Sequence, residues 1–476
     1  MEFKRPQLKQ TLGRVEIFAL TFGTMVGWGS FVLPIQWISS GGVLGTVISL
    51  IITTLMCLCV GLTYAELTST FPVAGGEIAF TYRYMGINGA WFTGWIISLA
   101  YLSVAAWEGI AISSAINYLI PIPKWGYLWT LGGYEVYFSW IMIGVVGIIT
   151  LTIINIVGVR KVAAFQIILV LMIIIAGIIY IMGAIGFGTI QNNEPLITDT
   201  GGISSVLIMI PSMFIGFDLI SKSAEEVNIP LRNVAKVLIF SICATALWYI
   251  LVTVSTFFLS SADNGYTEAV TIADIAQSSF HSTIIGKLII IGAICGIITS
   301  WNGFIMCTSR IFFSMGRAKM LPGIFSFVHP KYGTPIFSIV FVGVICCLFA
   351  FIGENAFSWL VNVAAFGTVV SYLMISISYL LIKKNEPGIK QGFTLRHGYV
   401  IGICAVICST FFLFWFTPLS NTGLSWTYEW FIIILWAILG IILFIFIKIT
   451  EHKKNITPQK REILIYGESH SREMPR

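Results

Sequence analysis

Apolar stretches long enough to cross a membrane recur along almost the entire chain, and no other property of the sequence restricts its fold so tightly. A hydrocarbon core of about 30 Å takes roughly 20 residues of helix. Twelve such stretches can be drawn, at 15–38, 43–68, 90–118, 136–157, 162–185, 202–221, 234–259, 284–315, 336–352, 357–382, 399–416 and 428–449. They are apolar on every face and too long for tilted strands, so the alternation of a membrane barrel is missing. With 57% hydrophobic and 10% charged residues, the chain also lacks the charged surface of a soluble globular protein. The expected fold class is an all-α integral membrane protein with twelve transmembrane helices.

Basic residues set the orientation, because cytoplasmic loops keep an excess of Lys and Arg. With a cytoplasmic N-terminus, an even number of crossings returns the C-terminus to the same side, and every Lys and Arg except Lys124 and Lys287 then falls on that side. The outer loops collect Glu135, Glu194, Asp199, Asp263, Glu268, Asp274, Glu354 and Glu429. The net charge of +6 is therefore a topology signal and gives no reason to expect nucleic acid as a partner. A multi-pass location in the cell membrane with both termini cytoplasmic follows. The first apolar run is too long for a secretory signal and lacks a small-residue cleavage site, so it reads as a retained helix. None of the nine cysteines lies in an outer loop, which argues against a disulfide framework. The five histidines, including His281, His329 and His470, show no metal-binding spacing, so no metal or organic cofactor is expected. The sequence sets no oligomeric state.

The chain reads as a repeat. After an N-terminal segment at 1–14, stretches one to five (15–185) and six to ten (202–382) form units of nearly equal length, followed by stretches eleven and twelve (399–449) and a tail (450–476). An odd number of crossings per unit inverts the second against the first. The first helix of each unit carries a flaw at a corresponding place: GTMVGWGSF at 23–31 and PSMFIGFDL at 211–219. Lipid offers no partner for freed backbone groups, so paired interruptions in inverted units point to a binding site near the midplane. Unwinding after Val26 frees amides around Trp28, Gly29 and Ser30, a positive helix end suited to a carboxylate. Unwinding near Gly216 frees carbonyls around Met213, Phe214 and Ile215, a negative end suited to an ammonium group. The plainer reading of Gly23 and Gly27, four residues apart, is a small-residue packing face.

Two carboxylates at membrane depth are functional candidates. Glu108 suits a substrate amine or a proton, or is simply hydrogen-bonded within the bundle. Asp218 follows the second break, where it suits substrate or proton handling, or caps the helix that restarts, with Lys222 one turn on as a partner. Thr299 and Ser300 offer hydroxyl oxygens to a sodium ion shared with carbonyls of the first break, or to neighbouring helices. The aromatic rings of Trp28, Phe31, Phe214, Phe217, Trp301 and Phe304 lie near the breaks, with Phe217, Trp301 and Phe304 the gate candidates.

Four segments carry a resemblance: the glycine motif of the first stretch, YAELTSTFPVAGGEIAFTYRYMG at 64–86, FIGFDLISKSAEEVNIPLRNV at 214–234 and SRIFFSMGRAKMLPGIFSFVHPKYGTP at 309–335. Together they resemble the signature regions of the amino acid-polyamine-organocation (APC) family of permeases. The resemblance implies the LeuT-like fold, a 5+5 inverted repeat with its first and sixth helices broken. It also implies that Gly27, Trp28 and Gly29 take a substrate carboxylate on backbone amides, while Phe214, Ile215 and Gly216 take the amino group on carbonyls. The charged residues Glu66, Arg83, Glu225, Glu226, Arg232, Arg310 and Arg317 suit ion pairs of an inner gate, or a positive-inside anchor. Several proton-coupled relatives carry a lysine inside the fifth helix; the stretch at 162–180 has no lysine, which argues against that route.

The expected function is a secondary active transporter of amino acids across the cytoplasmic membrane by alternating access, working as proton- or sodium-coupled symport or as exchange. Substrate-binding candidates are Val26, Gly27, Trp28, Gly29, Ser30, Phe214, Ile215, Gly216, Phe217 and Glu108; coupling candidates are Asp218, Glu108, Thr299 and Ser300. An amine permease of the same fold, taking a polyamine or ethanolamine, is the nearest alternative. A membrane-embedded amino acid sensor or channel is the alternative of another class. No nucleophile, base and metal constellation supports an enzyme.

Overall fold

The structure is a computed structural model that describes residues 5–131, 134–189, 196–260, 271–353, 356–386, 389, 392–420, 423–454 and 457–468. Of the residues singled out above, Glu194, Asp263, Glu268, Glu354 and His470 lie outside the described residues, as do parts of the N-terminal segment and the tail. The chain is mostly helical: α1 Arg14–Met25, α2 Gly29–Thr70, α3 Gly76–Leu119, α4 Phe138–Val157, α5 Val159–Phe187, α6 Thr200–Met213, α7 Leu219–Lys222, α8 Leu231–Leu259, α9 Ile272–Ser279, α10 Thr283–Arg317, α11 Ile336–Ala350, α12 Ala356–Asn385, α13 Gly398–Trp415, α14 Glu429–Lys454 and α15 Pro458–Tyr466. Among the described residues, nine of these helices are long and apolar enough to cross a membrane, and α6 and α11 are shorter apolar helices.

Three features refine the sequence reading. The second half of the first stretch and the whole second stretch follow one another as the two parts of α2, separated at Gly42, where φ is 71° and the backbone leaves the helix, so the expected boundary at 43 holds. Ahead of the third stretch lies a further helical segment that the hydropathy reading did not include. The helix of the third stretch starts just after Gly86, where φ is 62° and the backbone leaves the helix, and the first part of α3, from Gly76, precedes it. The tail contains a helix: Thr457 caps α15 by accepting the Lys460 amide at 3.3 Å, with Pro458 opening the helix. An antiparallel hairpin, β1 Tyr127–Leu131 with β2 Tyr134–Tyr137, was also not foreseen.

α3 lies against α12 and α10, α10 against α5, α2 against α8 and α6, and α1 against α5, α10 and α8. Two of the expected outer-loop acids act as helix caps: Asp199 Oδ1 accepts the Gly202 amide at 2.8 Å, and Asp274 closes a capping box with Thr271. The outermost faces of α5 and α14 leave large apolar side chains such as Ile175 and Phe446 exposed, as a lipid-facing surface requires.

Candidate functional site

Both expected helix breaks are present. α1 stops at Met25, Val26 turns out of the helix at φ −90° and ψ 75°, and α2 resumes at Gly29. α6 stops at Met213, and α7 starts only at Leu219. Gly216 lies between them at φ +125°, in a region that L side chains rarely adopt, and a Cβ there would stand 2.7 Å from Thr24 Cγ2. Glycine therefore serves twice at this point, allowing the turn and letting the second break lie against α1.

At the first break, Gly23 carbonyl accepts the Thr299 hydroxyl at 2.8 Å, Met25 carbonyl accepts the Tyr249 phenol at 2.9 Å, and Gly27 carbonyl accepts the Ser30 amide at 3.2 Å. The expected set of free amides thus shifts by one residue. Ser30 N–H is used in a turn, while the amides of Gly27, Trp28 and Gly29 have no backbone partner among the described residues. At the second break the amides of Phe214, Ile215 and Leu219 are bonded within the turn, to the carbonyls of Pro211, Ser212 and Gly216. The carbonyls of Met213, Phe214 and Ile215 accept no backbone hydrogen bond among the described residues. The two broken segments lie against one another, with Gly216 on Thr24 and Gly29 on the Met213 side chain.

Glu108 borders the first break. It is 1% exposed, and its Oε1 lies 3.2 Å from where a Gly27 Cβ would stand. The Ser300 hydroxyl donates to that oxygen, and the Trp107 indole lies beside the same carboxylate. Both candidate hydroxyls are therefore engaged as donors between helices, Thr299 to α1 and Ser300 to α3. Behind them runs a buried amide chain that the sequence reading missed. Gln166 Nε2 donates to Thr299 carbonyl at 3.0 Å, Asn302 Nδ2 to Gln166 Oε1 at 3.1 Å, and Asn155 Nδ2 to Asn302 Oδ1 at 2.8 Å. Isolated amides inside apolar runs were the available signal.

Asp218 does not cap α7, because its side chain makes no capping bond. Its Oδ2 instead pairs with Lys222 Nζ at 2.8 Å, and the same ammonium also bonds Glu77 Oε1 from α3. A lysine one turn away offers a full charge, a stronger partner than a single amide at the end of a four-residue helix. The three side chains are 0–1% exposed. Of the gate candidates, Phe217 sits in a ring cluster with Tyr64 and Tyr372 at 5.9 and 5.2 Å, Phe304 lies on Tyr101 at 5.3 Å, and Trp301 is packed beside Gly109 and Gly147. Trp28 and Phe31 are buried too, so every ring near the breaks is closed in. A small cavity of about 40 Å³ opens on the hairpin side of Glu108, lined by Gly109, Ser113, Lys124, Glu135, Tyr137 and Trp140.

The expected charged face is strongly paired. Glu225 bonds Arg317 at 2.7 Å and Arg5 at 2.6 Å, Glu226 bonds Arg310 at 2.8 Å, and Arg83 bonds Glu386 at 2.6 Å. Glu66 pairs with Lys383 and accepts the Tyr379 phenol at 2.7 Å. Arg232 is exposed and has no ion pair among the described residues. Burial alone would raise the Glu225 carboxyl, but Arg317 and Arg5 hold it below its ordinary value. Glu226, buried against a single arginine, is pushed up.

Comparison with known proteins agrees with this architecture. The family model described as amino acid permease matches residues 12–446. The branched-chain amino acid permease BcaP of Bacillus subtilis (strain 168) is 28% identical over 459 residues, covering 94% of each chain. The methylthioribose transporter of the same organism is 27% identical over 435 residues, covering 89% of this chain and 91% of that one. Its serine/threonine exchanger SteT is 23% identical over 431 residues, covering 88% and 94%.

Proposed function

The chain belongs to the amino acid permease family, and from that premise we propose that it is a secondary carrier moving amino acids across the cell membrane by alternating access, as symport or exchange. The observation that carries the reading is the opposed pair of helix breaks. The free amides of Gly27, Trp28 and Gly29 suit a carboxylate, and the free carbonyls of Met213, Phe214 and Ile215 suit an ammonium group. An α-amino acid brings both charges on one carbon. Val26, Ser30, Phe214, Phe217 and Gly216 would line the remainder, and Phe217, Trp301 and Phe304 would have to move for the ligand to enter or leave.

The packing supports twelve crossings in a 5+5 inverted repeat, with units at 15–185 and 202–382. If α1 and α2 of the first unit exchange with α6–α7 and α8 of the second, and α3, α4 and α5 with α10, α11 and α12, observed contacts map onto one another. Thus α3 against α12 becomes α10 against α5, α1 against α5 becomes α6 against α12, and α1 against α8 becomes α6 against α2. The paired, basic face would be cytoplasmic and carry both termini.

Proteoliposomes loaded with unlabelled amino acids and given labelled branched-chain, hydroxylated and cationic amino acids test the reading. Counterflow of at least one is expected, and its absence across the panel under pH and sodium gradients would sink the transport reading. Accumulation against a gradient would exclude a sensor or channel. An amine substrate is the second reading, favoured by the buried Glu108 carboxylate, which borders the first break and has no cation paired to it among the described residues. It wins if amines are taken up, amino acids are not, and Glu108→Gln abolishes that uptake.

A further inference from the structure

Two carboxylates share one ammonium at the inner side of the second break. Lys222 Nζ bonds Asp218 Oδ2 at 2.8 Å and Glu77 Oε1, and stands 4.8 Å from the centre of the Tyr101 ring. With both carboxylates ionised the cluster carries one unbalanced negative charge, in side chains that are 0–1% exposed. Asp218 Oδ1 is buried and accepts no hydrogen bond among the described residues, while the neutral Tyr64 phenol lies beside the Glu77 carboxylate. Low surrounding polarity penalises an uncompensated charge, and one proton on either carboxyl neutralises the cluster and supplies a donor. The other ionisable groups facing it do not supply the missing charge: Cys57 and Tyr64 from α2, Tyr101 from α3, Cys307 from α10 and Tyr372 from α12. Arg310, the nearest further cation along α10, is held by Glu226.

The cluster also joins two elements whose relative movement the proposed cycle requires. Asp218 and Lys222 belong to the broken helix, directly after the carbonyls of the second break, whereas Glu77 opens α3. Gly75, at φ +67°, lets that opening turn come so close that its amide donates to Lys222 carbonyl at 3.1 Å. The Ser221 hydroxyl reaches Glu77 Oε1 at 3.3 Å from the same segment. A proton on Glu77 removes one of the two grips on Lys222 and loosens α7 from α3.

We propose that Glu77, Lys222 and Asp218 form the coupling site of a proton symporter, binding one proton from outside together with the substrate and releasing it to the cytoplasm when the inner face opens. This rests on the transport reading above and names its coupling ion. The test uses the full-length protein in proteoliposomes, with the amino acid giving the strongest counterflow and with trapped pyranine reporting internal pH. Wild type is expected to accumulate that amino acid about tenfold per unit of inward pH gradient, with internal acidification, the ratio set by one proton per substrate. Glu77→Gln leaves Lys222 and Asp218 as a neutral pair, so accumulation should fall to equilibration and acidification should vanish while counterflow stays within about twofold. Wild-type counterflow without any response to the pH gradient would overturn the proposal and leave the transport reading standing, as would a Glu77→Gln protein that accumulates like wild type. If that variant does not fold, substrate is added to detergent-solubilised wild type in weak buffer, where uptake of about one proton per bound substrate is expected. No proton uptake there would equally overturn it.

Discussion

At Gly216 the conformation and the neighbour act together: φ is +125° and Thr24 Cγ2 fills the place a β-carbon would take. Gly216→Ala is expected to cost about 1–3 kcal/mol through backbone strain and contact. Adding Thr24→Ala should return only the contact part, a difference that thermal unfolding of the single and double variants in detergent would measure. The two adjacent glutamates of the charged face differ in another way. Glu225 is held below its ordinary value of 4.5 by two arginines, so it binds fewer protons folded than unfolded. Its stabilisation is complete above about pH 4.5 and is lost as pH falls through the lower folded value. Melting curves of wild type and Glu225→Gln should therefore differ by a constant amount above about pH 5 and converge on acidification. Residue positions were legible where a break forces unusual composition, as at Gly27 and Gly216. The Glu77–Lys222 pair was not, because 145 residues separate its members and no local period links them.

Elements were legible in proportion to their hydropathy. Long apolar helices such as α4, α8 and α10 fall within a few residues of their expected limits, since lipid-length runs leave few alternatives. The elements missed are those whose stability comes from partners, and α15 is the clearest. Its Tyr466 phenol donates to Ala79 carbonyl at 2.8 Å, Arg461 to Ala318 carbonyl at 3.0 Å, and Arg5 bonds the carbonyls of Leu464 and Ile465 at 3.2 and 2.9 Å. Tyr466 also lies against Phe71 at 5.4 Å. The helix thus ties the openings of α3 and the end of α10 to the N-terminal segment, under the two breaks. Deleting residues 457–476 is expected to lower the unfolding temperature and to speed maleimide labelling of a variant keeping only the buried Cys307 by about tenfold, as local opening becomes less costly. An unchanged labelling rate would show that α15 merely decorates the face it covers.

At the scale of the whole molecule, the charged face is joined by buried ion pairs that follow a common pattern. Glu225 with Arg317 and Glu226 with Arg310 join the turn after α7 to the end of α10, while Lys222 with Glu77 joins α7 to α3. The N-terminal segment travels with that turn, because Thr11 and Leu12 amides both donate to Glu226 carbonyl, at 2.8 and 2.9 Å, and Asn228 donates back to Leu12 carbonyl. Opening the face by moving the broken helix must therefore part buried ion pairs and carry residues 11–12 away from α10. Breaking one partner leaves an unpaired buried charge, whereas replacing both removes the clasp without that penalty. A Glu226→Gln, Arg310→Gln double variant should consequently fold and populate the opened face more often than wild type. Spin labels at the exposed Gln10 and Ile324 would report it as a longer, broader distance distribution. Moving such an equilibrium from 1:99 to 99:1 takes about 5.5 kcal/mol, so one pair of several should give a partial shift that substrate then enlarges or reverses. A distribution identical to wild type, with and without substrate, would place the clasp in Glu225, Arg317 and Arg5 instead, because those three remain joined when Glu226 and Arg310 are neutral.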